Sequence, residues 1–479
     1  MRDAHTAGPG LAPPRVVRSA PAGAVQARRG YALEVPSEAH RRLAAAWLLL
    51  GVAALVGAGL LAVLLVVART PGLREAMPSA DFFRVVLVAH VDLSVLVWFL
   101  AFAGVLWTIN SGSHALAAGW LALALVACAA AAIAISPFAG TAAPVMSNYI
   151  PVLDGPVFLA GLIILGAGVA LLVVRGMRQA PPVGTTLDGS AALRFGLNAS
   201  LVSAAVALIA FGWSWAAIPR SLPAAGYYDI LFWGGGHVLQ FTWSLLLVVA
   251  WLWLADAAGL TLPLSPRVVT LLFGVGLASV FAIPLIYLAF DVGSVEHHRL
   301  LTWLMRFGGA LAIPPIGIAV AWSLVRQRAG SPAARAPRAA LAASLVLFAA
   351  GGAIGFLIRG SDVRIPAHYH GAIVGVTIAM MGLAYHLLPR LGLAMPSVRL
   401  ATLQPWVYGG GQLVHITGLV WSGGYGVQRK VAGSEQVLHG AREVAGMALM
   451  GAGGLVAVIG GLLFVVVVLQ ALASRRCSR

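Results

Sequence analysis

Charge is scarce in this chain, and so is cysteine. Of its 479 residues only 10% are charged, while 60% are hydrophobic. A soluble domain needs about a quarter of its residues charged to cover its surface, so this composition excludes a water-soluble globular protein. The two cysteines are Cys128, inside an apolar stretch, and Cys477, near the C-terminal end. They give no disulfide framework, and without a Cys-x-x-Cys-His run there is no attachment site for c-type haem. Covalent haem and thiolate-bound copper belong on some other chain. Acidic residues number 15 against 31 basic ones, for a formal charge of +16. The bases, almost all arginine, are scattered through short connections instead of forming one patch, which argues against a nucleic-acid partner. No internal repeat is evident, which counts against an inverted-repeat transporter.

What the chain has in abundance is long apolar runs. A helix needs about 20 apolar residues to cross the hydrocarbon of a bilayer. Twelve stretches qualify: 44–69, 83–108, 115–136, 151–174, 196–218, 229–255, 268–290, 300–325, 339–358, 366–388, 404–422 and 442–473. The expectation is an all-α polytopic membrane protein with twelve transmembrane helices, forming one domain over 43–474. It is preceded by a disordered cytoplasmic tail at 1–42, without a signal peptide, and followed by a basic cytoplasmic end at 475–479. Alternate connections carry Arg175, Arg178 and Arg194, then Arg267, then Arg326, Arg328, Arg335 and Arg338, then Arg390 and Arg399. Acids such as Glu75, Asp81, Asp154, Asp229, Asp291, Glu296, Asp362, Glu435 and Glu443 fall on the opposite side. Excess positive charge marks the inner face, so both termini are expected in the cytoplasm of a bacterial inner membrane.

Ionisable residues inside a membrane are costly, and a histidine there is a functional candidate by default. Six of the twelve histidines stand out: His90 on span two, His237 on span six, His297 and His298 just past span seven, and His368 and His370 on span ten. At 1.5 Å per residue the histidines on spans two, six and ten lie roughly 6 to 12 Å below the outer helix ends, so all six converge on one layer. His368 and His370, about 200° apart on a helix, face opposite ways and can each serve a different haem. Adjacent His297 and His298, with His237, make an all-imidazole set suited to copper or zinc. His90 remains as a second axial ligand for one haem. His5, His40, His114, His386, His415 and His439 read as loop, edge or packing residues. The run Gly234-Gly235-Gly236, just before His237, invites close approach of something flat or bulky, or of a neighbouring helix.

In these residues the chain resembles subunit I of the haem–copper oxidase superfamily, the family of cytochrome c oxidase and nitric oxide reductase catalytic subunits. The matching segments are Ala89-His90-Val91, Gly236-His237-Val238, Glu296-His297-His298-Arg299 and Ala367-His368-Tyr369-His370-Gly371. The resemblance implies two haems and one copper ion, with iron possible in its place. It implies His90 and His370 as the axial ligands of a low-spin haem, His368 as the ligand of a high-spin haem, and His237, His297 and His298 as the copper ligands. Electrons would pass through the low-spin haem to the paired centre, where O2 or NO is reduced. Arg429 and Lys430 stand where the family sets a basic pair against haem propionates, with Arg359 and Arg364 close in sequence. The donor would be a cytochrome c or a copper-bearing subunit docking at the outer face.

The chain also departs from the family pattern. Oxygen reductases usually carry a tyrosine four residues after the helix-six histidine, and here that residue is Phe241. Tyr287 lies ten residues before His297, about 15 Å along a straight helix. Gln240 projects on nearly the same face as His237 and offers a neutral amide to the metal cavity. The missing phenol favours reduction of NO to N2O, a two-electron reaction, but the glutamates of known NO reductases are absent too. The expected substrate is O2, reduced to water, with nitric oxide the alternative, and Gln240 and Phe241 are the positions that bear on the choice. Asp92 is the sole carboxylate well inside a span, so protons could come from the outer Asp291 and Glu296.

Overall fold

The computed structural model describes residues 30–73, 80–140, 142–432 and 435–477. Twelve long helical segments account for most of them. We number these α1 Glu38–Arg69, α2 Asp81–Ile109, α3 Leu116–Phe138, α4 Pro156–Gln179, α5 Gly189–Ala217 and α6 Ala224–Ala257. The chain continues through α7 Pro266–Ala289, α8 Val295–Arg326, α9 Pro332–Gly355, α10 Arg364–Leu387, α11 Val398–Gly424 and α12 Ala441–Ser474. All but α11, 11 in number among the described residues, are long and apolar enough to cross a membrane. Helix α11 has the length, at 27 residues, but dilutes its apolar surface with Gln404, Gln412 and His415. It packs lengthwise on α12 and against α9 and α10, so its polar groups are covered by protein.

Side-chain caps start several helices. Ser37, Asp188, Ser265, Ser294 and Ser397 each accept a backbone N–H of the first turn, supplying an acceptor that the helix itself lacks. The expected tail to residue 42 ends earlier among the described residues. Tyr31 and Leu33 are buried, the Tyr31 N–H donates to Asp256 at 3.1 Å, and α1 begins at Glu38. The apolar side chains at 31 and 33 and the Ser37 cap explain the earlier start; residues 1–29 of that tail, with His5, and residues 478–479 of the basic end lie outside the described residues. A second difference falls before α4, where Val152–Asp154 pairs antiparallel with Ala143–Val145 in a two-stranded hairpin, in place of the start of a span.

Burial singles out three helices. The apolar stretch of α6 is 89% buried, that of α10 78% and that of α2 67%. These central helices are the ones that carry His237, His368 with His370, and His90. Two of the histidine-bearing segments leave regular α-helix beside the ligand: α2 widens into a π-turn over Asp92–Val97, and α8 over Leu304–Gly308. Such turns re-aim side chains locally.

Candidate metal centre

Histidine chemistry is set by which ring nitrogen holds the proton. His90 Nδ1 lies 2.9 Å from the Ala58 carbonyl, His237 Nδ1 2.7 Å from that of Trp233, and His298 Nδ1 3.0 Å from that of Ser294. His368 Nδ1 lies 2.7 Å from the Gly351 carbonyl. A carbonyl oxygen only accepts, so each Nδ1 is the donor and each Nε2 carries a lone pair. That is the orienting contact which metal-bound histidines use. His415, read from sequence as a packing residue, does the same with the Met450 carbonyl at 2.9 Å, and its ring lies 4.9 Å from His370.

Helix contacts build these bonds. A side chain at Gly351 would overlap the backbone of Gly371 and Ala372, so α9 and α10 touch through their main chains. The touch places the Gly351 carbonyl under His368. His368 and His370 then face different neighbours, α9 and α11, as their spacing requires. The three glycines before His237 are each met by a ring: Tyr287 at Gly234, Phe211 at Gly235 and Tyr149 at Gly236.

His237, His297 and His298 gather on α6 and the first turns of α8. His297 and His298 are helical, capped by Ser294, and their ring centroids lie 6.0 Å apart. Trp233 lies between His237 and His298, with ring centroids at 4.9 Å and 4.6 Å and the planes tilted. His297 is fully buried and neither of its ring nitrogens has a hydrogen-bond partner. An imidazole so placed costs about 1–3 kcal/mol for each unmet polar atom, and a metal ion would relieve this at the nitrogen with the lone pair. Among the described residues no three His, Cys, Asp or Glu side chains stand close enough to hold an ion as they are. At His237 the Nε2 is engaged by the Tyr149 hydroxyl at 2.8 Å. The donor set therefore suits a metal, with one ligand position taken by a phenol.

A second group surrounds His370. The His415 ring lies 4.9 Å from it. Tyr369, stacked on His370 at 5.8 Å, is 38% exposed, and His370 and His90 are only half-buried, so their rings are accessible. Arg69 donates to the Gln428 carbonyl at 3.0 Å, next to Arg429. The Nε2 lone pairs of His90 and His415 and the guanidinium groups of Arg69 and Arg429 fit a haem with its propionates. Arg69 was not among the sequence candidates, being the last residue of α1.

The other sequence candidates divide. Gln240 is half-buried and makes no hydrogen bond among the described residues, so its amide is available. Phe241 is buried and faces Gly309 on α8. Arg429 donates to Ser361 Oγ at 3.0 Å, and Lys430 donates to the Met146 carbonyl at 2.5 Å. Burial, reinforced by Arg429 and opposed by Asp229, lowers the Lys430 ammonium to about 8. Arg364 is committed to Asp362 through Nε at 3.0 Å to both carboxylate oxygens. Asp291 and Glu296 are exposed. Two tyrosines that sequence did not place sit on the histidines: Tyr149 on His237, and Tyr287 with its ring 4.7 Å from His297. Burial, with Asp229 nearby, raises the Tyr149 phenol and keeps it protonated.

Comparison with known proteins identifies the family. Residues 42–463 match the family model for cytochrome c and quinol oxidase polypeptide I. The chain belongs to that family, the subunit I family of haem–copper oxidases, whose members normally bind haems with copper or iron. It is 28% identical to an uncharacterized protein of Rickettsia prowazekii over 505 aligned positions, covering 89% of this chain and 95% of the relative. It is 29% identical to an uncharacterized protein of Aquifex aeolicus over 350 positions, covering 72% of this chain and 84% of the relative. Among solved structures it resembles a heme-copper terminal oxidase dimer with a TM-score of 0.67 and 16% identity, covering 92% of this chain and 84% of the other. That last likeness concerns the fold.

Proposed function

We propose that this chain is the catalytic subunit of a respiratory terminal reductase that reduces O2 to water, with 43–474 as its catalytic domain. Family membership supports an oxidoreductase; the observation that carries the site assignment is the row of histidines whose Nδ1 protons are tied to backbone carbonyls, which leaves Nε2 as the nitrogen with the lone pair. On this reading His90 and His370 hold a low-spin haem, His368 holds a high-spin haem, and His237, His297 and His298 hold copper or iron. Bound, these groups supply electron storage and the iron–metal gap in which a diatomic gas is reduced. The chain's own residues fix the ligand tautomers, exclude water with Trp233, Phe241 and Tyr287, and present Arg69, Arg429 and Lys430 to haem carboxylates.

Oxygen is placed first because a phenol, Tyr287, stands against the ligand histidine His297. A second reading, reduction of two NO to N2O and water, is supported by Phe241 and by the unbonded amide of Gln240. The charge pattern supports a bacterial inner-membrane location with both termini cytoplasmic and an electron donor, cytochrome c or a copper-bearing subunit, at the outer face. The deciding assay supplies purified enzyme with an artificial donor and records O2 consumption beside N2O formation. Rapid O2 uptake with little N2O supports the first reading, and the reverse ratio supports the second.

A further inference from the structure

Resting on the haem–copper reading, we infer that Tyr149 caps the metal-ligating nitrogen of His237, and that a metal ion gains its place by displacing that hydroxyl. His237 Nδ1 is committed to the Trp233 carbonyl, so Nε2 alone can meet an ion. Its lone pair lies in the ring plane and serves one partner at a time. Here it accepts the Tyr149 O–H at 2.8 Å. Ligation and capping are mutually exclusive.

The cap is built into the fold. The Tyr149 ring lies against the bare backbone of Gly236, where any side chain would overlap it, and its centroid is 4.6 Å from His237 and 5.8 Å from Trp233. Tyr149 sits at the tip of the hairpin formed by Ala143–Val145 and Val152–Asp154, whose tip is closed by the Ser147 hydroxyl on the Ile150 carbonyl. Asn148 secures one side through its backbone N–H and its Nδ2, at 3.2 and 2.9 Å from Asp229 Oδ1. Lys430 secures the other through Met146. A short, anchored hairpin thus carries one hydroxyl to one nitrogen. Exchange moves no electron and no proton from its owner: the phenol keeps its hydrogen and turns away, and the ion takes the lone pair. Tyr149 is a positioning residue, holding the His237 ring in its ligating orientation until metal arrives and competing with that metal.

The test uses the full chain in detergent, stripped of copper with a chelator and titrated with Cu(I) against a competing chelator. Tyr149→Phe keeps the ring on Gly236 and deletes the competing hydroxyl, and haem absorbance reports that the fold is intact. The expected result is copper binding about fivefold tighter in the variant, the change that one net hydrogen bond represents. Ultraviolet resonance Raman of the wild type should also show one tyrosine losing its hydroxyl donor contact on copper loading, a signal absent from Tyr149→Phe. Equal or weaker copper binding in the variant, or no change in the tyrosine spectrum, overturns the cap while leaving the copper site standing. Failure of both proteins to retain copper removes the haem–copper reading itself, and the cap with it.

Discussion

Tyr287 meets His297 edge to face, with ring centroids 4.7 Å apart and planes at 86°. Helix α7 ends at Ala289, Phe290 is extended, and the chain folds back into α8, so the two residues face each other across a turn. The Tyr287 hydroxyl is hydrogen-bonded to Ser214 at 2.9 Å in a buried setting. If this phenol serves oxygen chemistry, Tyr287→Phe should lower O2 turnover by about a hundredfold, within the range of a lost proton donor, and leave NO turnover within about twofold. Parallel rate measurements on the two gases check this. An equal loss on both would assign Tyr287 a packing role.

The backbone contact between Gly351 and Gly371 makes a separate prediction. Gly351→Ala forces α9 and α10 apart, an overpacking that costs about 1–3 kcal/mol. The Gly351 carbonyl then leaves His368 Nδ1. High-spin haem should be lost on purification while low-spin haem, held by His90 and His370, is retained. Haem extraction and the carbon monoxide difference spectrum measure both.

The ligand histidines should separate by metal. His297→Ala and His298→Ala should reduce copper or iron at the three-histidine site to near background and preserve the low-spin spectrum. His90→Ala should do the opposite. Elemental analysis beside reduced-minus-oxidised spectra distinguishes the two patterns, and any variant that loses every cofactor together would speak for a folding defect.

Lys430 gives a pH signature. Burial lowers its ammonium from the ordinary 10.5 to about 8, so the folded chain binds that proton less tightly than the unfolded chain. Charging it costs stability at every pH below about 8. Stability should therefore rise as the pH climbs from about 8 to 10.5, then level off. Thermal unfolding of the cofactor-free chain, compared with Lys430→Met, reads the effect. The variant should lose the rise, and identical profiles would contradict the assignment.

Much of this was legible from residues alone because membrane energetics leaves few choices. Ionisable groups in spans are costly, so His90, His237 and His370 announce themselves, and apolar length reveals the helices. Even α11, less apolar than the rest, was found because its polar residues are spaced among apolar ones. Less legible was anything decided by a turn or a long-range contact. The spacing from Tyr287 to His297 measures their separation only along a straight helix, and the helix stops at Ala289. Tyr149 reaches His237 from a hairpin 88 residues away in sequence, with no local signal beyond the glycine at 236 that its ring requires. His415 looked ordinary because its carbonyl partner, Met450, lies on another helix. Arg69 likewise closes α1 far in sequence from the His-x-His pair it accompanies.

Cofactor stoichiometry on the purified, full-length protein tests the central claim most directly. The account predicts two haems and one copper (or one non-haem iron) per chain, a low-spin reduced-minus-oxidised spectrum, and carbon monoxide binding to half of the haem. A well-folded chain that carries no haem, or haem with no metal at His237, His297 and His298, would contradict it.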